Sequence, residues 1–220
     1  MDSVASSLTG WTQDPEAFTT LRNELGRYLG HERTTLPVTV AAPQPGQHPR
    51  GSYSLNFQDP RARPTADPLV VDGRTYTKVG WGPYDPAHGY GWSGENVGSP
   101  AVALYGYDAR DGFDERRRSC LYDDYGRPAR FEFALENGRY RVTLGVGRPA
   151  RGYPDEPANA AVEGQRLIDD VATTDAQPTL ARSVSVEVRD GSLTLEAGGR
   201  SRRTGDFSYT FVAFLDVVPE

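Results

Sequence analysis

The chain predicts an all-β protein, an antiparallel β-sandwich of jelly-roll type preceded by one amphipathic helix. Three observations carry this. Residues 130–147 and 183–197 each hold two runs of alternating apolar residues around a short break, Asn137-Gly138 in one and Arg189-Asp190-Gly191 in the other. Residues 207–218 are almost continuously apolar, as in a central strand covered on both faces. Only residues 14–29 repeat their apolar side chains at clear helical spacing.

Taken in order, Asp14 supplies an N-cap and Pro15 suits the first helical position. Phe18, Leu21, Leu25 and Tyr28 or Leu29 then form one apolar stripe, and Gly30 provides a stop. Residues 41–51, rich in Pro, Gly and Gln, read as a linker. This divides the chain into an N-terminal helix and linker, 1–50, and a β-sandwich, 51–220. Within the latter, residues 53–57 and 69–71 read as short strands, with Asp72-Gly73 as a turn, while 79–93 is loop-like and dense in Gly and aromatics. Residues 101–107 alternate weakly. Asn-Gly between alternating runs is a strong hairpin signal, because a type I′ turn needs positive φ at both central residues. Two hairpins are therefore expected, 130–136 against 139–147 and 183–188 against 192–197. Phe131, Phe133 and Leu135 point the same way as Tyr140, Val142, Leu144 and Val146.

Composition narrows the function. The formal net charge is −6 and the pI about 5.2, which argues against nucleic acid or an anionic membrane surface as partner. The basic charge is nearly all arginine, Lys78 being the single lysine, a bias that fits a GC-rich genome. The run Arg116-Arg117-Arg118 stands beside Asp111, Asp114 and Glu115 and reads as a solvated, locally neutralised face. A lone cysteine, Cys120, excludes an intrachain disulfide framework, and three histidines make a Cys/His zinc site implausible. No run of 18 apolar residues predicts membrane insertion. The first residues lack the basic and apolar regions of a signal peptide. The chain is then intracellular, or extracellular as a piece of a longer exported protein.

Signatures of catalysis are missing: there is no Gly-x-Ser-x-Gly elbow, no His-Glu-x-x-His and no P-loop. The strongest binding candidate is residues 80–92, where Trp81, Tyr84, Tyr90 and Trp92 are separated by Gly and Pro. Glycine lets the backbone turn while Pro and aromatics stay rigid, so such a loop holds flat rings at low entropy cost. Flat rings with nearby polar groups suit a pyranose, whose CH face packs on a ring while its hydroxyls take hydrogen bonds. The competing reading is that these aromatics plug one end of the core. His31 and His48 read as exposed polar residues, and His88 stands out because it lies inside the aromatic segment. Asp123-Asp124, Asp155-Glu156 and Asp169-Asp170 lie in turns, and such pairs are ordinary in acidic loops. Asp216 interrupts an apolar strand and so requires a partner, either a cation, an arginine or hydrogen-bond donors.

The segments Ser-Leu-Asn-Phe-Gln (54–58), Val-Asp-Gly-Arg-Thr-Tyr (71–76), Gly-Tyr-Gly-Trp-Ser (89–93), Leu-Glu-Asn-Gly-Arg-Tyr-Arg-Val-Thr-Leu-Gly-Val-Gly (135–147), Ala-Val-Glu-Gly (161–164) and Val-Arg-Asp-Gly-Ser-Leu-Thr-Leu (188–195) occur in an order that resembles one family. It is that of the galactose-binding-like, malectin-like jelly-roll domains attached to bacterial polysaccharide lyases, glycoside hydrolases and rhamnogalacturonan acetylesterases. The resemblance covers about 52–218. It implies a β-sandwich, usually non-catalytic, that binds glycans through loops at one end or edge. It also implies a structural Ca²⁺ between the first and last strands, which here falls near Asn56 and Asp216. The chain departs from the family at Arg148, where an acidic residue is usual, and over 116–120.

The expected function is thus non-catalytic binding of a glycan or polysaccharide. Trp81, Tyr84, Tyr90 and Trp92 would serve as stacking platforms, and Asp85, His88, Arg118 and Tyr153 as polar contacts. Two alternatives stand beside it. One is a structural or protein-interaction sandwich; the other is an accessory domain of a carbohydrate esterase or lyase whose catalytic part is a linked or neighbouring domain.

Overall fold

A computed structural model describes residues 45–58, 66–93, 102–106, 114–123, 128–148, 152, 155 and 157–220; of 102–106 and Asp123 it describes the backbone. These residues belong to one compact unit, Pro43–Glu220. The predicted helix 14–29 lies outside the described residues. Among those described, no helix is long and apolar enough to cross a membrane.

The fold is the expected all-β sandwich. Among the described residues the strands are β1 (Tyr53–Phe57), β2 (Leu69–Val71), β3 (Arg74–Val79), β4 (Tyr90–Ser93), β5 (Val102–Gly106), β6 (Ser119–Asp123), β7 (Ala129–Ala134), β8 (Gly138–Gly147), β9 (Pro157–Val162), β10 (Gln165–Ala172), β11 (Thr179–Val188), β12 (Ser192–Ala197), β13 (Gly199–Arg200), β14 (Phe207–Ser208) and β15 (Phe211–Pro219), with a 3-10 turn at Glu115–Arg117. One sheet runs β11-β8-β15-β1-β3-β2, with β6 joined to β15 and β5 to β6; the other runs β10-β9-β12-β7-β4. Most pairs are antiparallel, but β1 and β3 are parallel, Asn56 opposite Lys78.

The main core lies between the sheets. Phe131, Phe133 and Leu135 bury the alternate positions of β7 and its exit, and Tyr140, Val142, Leu144 and Val146 those of β8, on the faces their alternation predicts. Each such side chain contributes roughly 1.5–3 kcal/mol by leaving water. β15 is buried on both faces because the outer side of its sheet carries a second cluster: Leu69, Tyr76, Cys120, Tyr122, Phe211, Ala213 and Phe214.

The two expected hairpins are corners instead. β7 pairs with β12, Phe133 opposite Leu193, in the five-stranded sheet. β8 pairs with β11, Val142 opposite Val184, in the larger sheet. Each Gly-containing break therefore carries the chain from one sheet to the other, and the two corners lie side by side. Asn137 Nδ2 donates to Arg189 O (2.8 Å), its Oδ1 accepts from Gly191 N (2.8 Å), and Leu135 N donates to Gly191 O (2.9 Å). Asn137 lacks the positive φ that a type I′ turn requires; Asp72-Gly73 (φ 51° and 75°) and Glu163-Gly164 (φ 49° and 69°) have it and close the β2–β3 and β9–β10 hairpins. Asn137→Ala removes the clasp between the corners. At this exposed position the expected loss is about 1 kcal/mol, read as a lower urea midpoint with unchanged m-value.

Candidate functional site: a cleft at the sandwich edge

β3 belongs to the larger sheet and β4 is the edge of the smaller one, so residues 80–89 cross between the sheets at one margin of the sandwich. Local chemistry shapes this crossing. Asp85 N donates to Tyr90 O (3.1 Å), while Asp85 O accepts from His88 N (3.1 Å) and Gly89 N (2.8 Å). Asp85 Oδ1 takes Ala87 N at 2.9 Å, a side chain standing in for a backbone turn. Gly89 closes the turn at φ +70°. At the base, Tyr84 N donates to Trp92 O (2.9 Å) and Trp92 N to Gly82 O (3.0 Å).

These residues frame a cavity of about 540 Å³, lined among others by Lys78, Tyr84, Asp85, Pro86, His88 and Tyr90. The volume lies within the range of small-molecule sites. Tyr84 is 37% exposed, one of few large apolar-bodied side chains so presented among the described residues. His88 Nδ1 donates to Asp85 Oδ2. That bond, followed by the one from Ala87 N, holds the Asp85 carboxyl below its ordinary range, so it stays ionised at neutral pH. Tyr90 is half-buried and links the cleft to the core: its ring lies 6.0 Å from His88 on one side and 6.4 Å from Phe133 on the other.

Behind the loop, outside the cavity lining, packs a segment that composition reads as linker. His48 pairs with Leu135 and stacks on Phe133 at 4.2 Å, its Nδ1 lying 2.9 Å from Ala134 O. Gly46, at φ +79°, lies so close to the turn that a Cβ on it would stand 2.0 Å from Pro86 O.

The expected site residues divide accordingly. Tyr84, Asp85, His88 and Tyr90 come together around the cleft. Trp81 is partly buried, packs against the main core and does not line the cavity. Trp92 is a correction: it is 8% exposed, with Phe131 and Phe57 rings at 5.3 and 5.6 Å, and its Nε1 donates to Gly80 O (2.8 Å). It supports the loop from within and offers no face to a ligand. Arg118 follows the 3-10 turn, faces Glu115 at 3.7 Å and does not line the cleft. Tyr153 lies outside the described residues. Pro86 and Lys78 join the lining, and Gly46 and His48 its support, without having been singled out for it. Lys78, as the single lysine, was the one visible signal, whereas nothing in a Pro/Gly-rich stretch marks His48 as a packed residue.

Elsewhere, Arg148 is buried, and its Nη1 donates to Asp155 Oδ1 (3.0 Å) with Asp175 at 3.4 Å. Asn56 and Asp216 sit on the adjoining antiparallel strands β1 and β15, as the resemblance implies. They do not fit a calcium ion. Both amide hydrogens and the oxygen of Asn56 are taken by protein groups, and Asp216 faces arginines. Among the described residues no cluster of three His, Cys, Asp or Glu could hold a metal.

No family model and no curated protein matches the sequence. Among solved structures, the ANX2 ectodomain from Arabidopsis thaliana is similar with a TM-score of 0.54 at 14% identity, over 76% of this chain and 42% of that one. The plant FER protein, in complex with the peptide RALF23 and LLG2, gives 0.51 at 14% identity over 78% and 40%. A Bacteroides uniformis beta-glucuronidase gives 0.50 at 9% identity over 77% and 18%. The chain spans less than half the length of each. Identities this low speak for the fold alone, and in fold the chain is a β-sandwich of the kind these three proteins contain.

Proposed function

We propose that this chain is a non-catalytic glycan-binding sandwich whose sugar site is the cleft at residues 78–91. The observation that carries the reading is convergence: the aromatic loop, the exposed Tyr84 ring, the ionised Asp85 and His88 all border one open cavity of about 540 Å³. A pyranose stacks on Tyr84 while Asp85 and His88 hydrogen-bond its hydroxyls. Occurrence of the fold in a beta-glucuronidase supports a carbohydrate context and a role as an accessory domain. A single exposed site of this kind binds in the millimolar to micromolar range, roughly −4 to −8 kcal/mol.

The test is a glycan array followed by calorimetry on each hit. Tyr84→Ala is expected to weaken binding tenfold or more, about 1.4 kcal/mol, with an unchanged circular dichroism spectrum and melting point. Undiminished binding by that folded variant would sink the assignment. Trp92→Ala is unsuitable, since losing a core tryptophan costs about 3–5 kcal/mol of stability. A second reading has one observation in its favour, the similar fold of FER in its peptide complex. It expects no array hit and capture of a peptide instead.

A further inference from the structure

Asp216 is a carboxylate on a central strand with 7% of its side chain exposed, and a charge so placed needs an opposite charge beside it. What supplies that charge can be read from its surroundings on the outer face of the larger sheet. Asp216 Oδ2 accepts from Tyr76 OH (3.2 Å) and faces Arg74 Nη1 at 3.6 Å and Arg116 Nη1 at 3.7 Å. Arg116 is the better enclosed of the two, its side chain 17% exposed against 50% for Arg74. Its Nη1 donates to Tyr76 OH (2.9 Å), its Nε to Asp114 Oδ2 (3.1 Å), and its Nη2 stands 3.7 Å from Asp72. The guanidinium lies over the buried Phe214 ring at 4.5 Å. Burial pushes the Tyr76 phenol up, so it stays a hydroxyl that donates to Asp216 while accepting from Arg116.

The neighbouring amide is equally committed. Asn56 Nδ2 donates to Arg116 O (2.8 Å) and Ala213 O (3.0 Å), and its Oδ1 accepts from Gln58 Nε2 (2.7 Å) and Ser119 Oγ (3.3 Å). An amide oxygen has two lone pairs, so none is left for a metal. Ca²⁺ needs six to eight oxygens at 2.3–2.6 Å, whereas a guanidinium offers five N–H donors in a fixed fork and stacks on an aromatic face. Only Asp216 Oδ1 is buried here without a hydrogen bond among the oxygens of these two residues.

We propose that Arg116 is the resident cation at the β1–β15 junction, the main counter-charge of Asp216 and within reach of Asp114 and Asp72 from one covalently tethered position, so that the domain folds without calcium. Arg116 and Arg117 are on this account a structural clamp over the second core. The inference is independent of the glycan reading, and its test does not involve the cleft.

Thermal unfolding of the whole chain in EDTA and in excess calcium chloride is expected to give the same melting temperature within about 1 °C; a rise of several degrees with calcium overturns the proposal. A double-mutant cycle supplies the second measurement. Arg116→Met leaves Asp216 with only the half-exposed Arg74 as counter-charge and lowers the melting temperature by roughly 5 °C or more. Asp216→Asn introduced on top of it recovers a substantial part of that loss, because the stranded charge is removed. If the two losses simply add, Arg116 is not the counter-charge and the proposal fails. Should Arg116→Met not fold, the calcium comparison on the wild-type chain still decides.

Discussion

Gly89→Ala is expected to lower the melting temperature by roughly 5–15 °C and to disrupt the cleft at the same time. A Cβ on Gly89 stands 1.7 Å from the carbonyl oxygen of Gly46 and 3.2 Å from the His48 ring, so backbone rather than a flexible side chain must give way. The left-handed conformation, φ +70°, adds about 1–2 kcal/mol for a residue with a Cβ, and overpacking adds about 1–3 kcal/mol. At roughly 2–4 °C per kcal/mol for a domain of this size, these ranges span about 4–20 °C, and the stated figure is their central part. Gly73→Ala is the control: φ is similar at +75°, but nothing lies within 4 Å of its Cβ, so it carries the conformational part alone. Scanning calorimetry of both variants separates the effects. Equal losses would mean that residues 45–49 do not wall the loop.

Gly145→Val is the other large effect, at the opposite face of the larger sheet. The Cβ would fall 2.0 Å from Phe214 Cε1 and 2.3 Å from Cδ1, inside a ring buried in the second core and covered by Arg116 and Arg117. Valine is ordinarily favoured over glycine in a strand, so the sign of the effect is diagnostic. We expect a loss of about 3 kcal/mol or more, because a β-branched side chain cannot turn away and the ring has no space to retreat. Phe214→Leu shortens the obstructing side chain, and the double variant is expected to be more stable than the summed losses by about 0.5–3 kcal/mol. Strict additivity in urea titrations would show that Phe214 is not what the glycine accommodates.

These two glycines illustrate how far the sequence could be read. Gly145 sits in a run whose alternation marked its strand and inward face correctly, yet the ring that requires a glycine belongs to a strand some seventy residues on. Asn137-Gly138 looks like a hairpin turn in sequence because hairpins and sheet-to-sheet corners share one pattern: two alternating runs with inward faces matched. They differ in backbone φ at the break and in which strands lie alongside, and neither is encoded in alternation. Asp72-Gly73 closes a genuine two-residue turn as its dipeptide suggests, while Glu163-Gly164 does so with a glutamate in an uncommon conformation. In the aromatic loop, Trp81, Tyr84, Tyr90 and Trp92 were alike in sequence. Of the four, Tyr84 and Tyr90 line the cleft; Trp92 shares a face of edge strand β4 with Tyr90 but packs on Phe131 and Phe57 instead. The arginine run is locally neutralised by Asp114 and Glu115, as its sequence suggests, while Phe214 beneath Arg116 and Arg117 makes it a half-buried face and not a solvated one.

By itself, then, the sequence determined the all-β class, the inward faces of β7, β8, β11 and β12, the Gly and Pro spacing of the aromatic loop, and the need for a partner at Asp216. These are local properties, set by side-chain alternation with a period of two and by the conformational freedom of a few residues. The tertiary structure decided which sheet each strand joined, which aromatic became a wall and which a support, and that an arginine faces Asp216. Those outcomes depend on contacts between residues far apart in the chain, where packing and charge are settled by what the fold brings alongside.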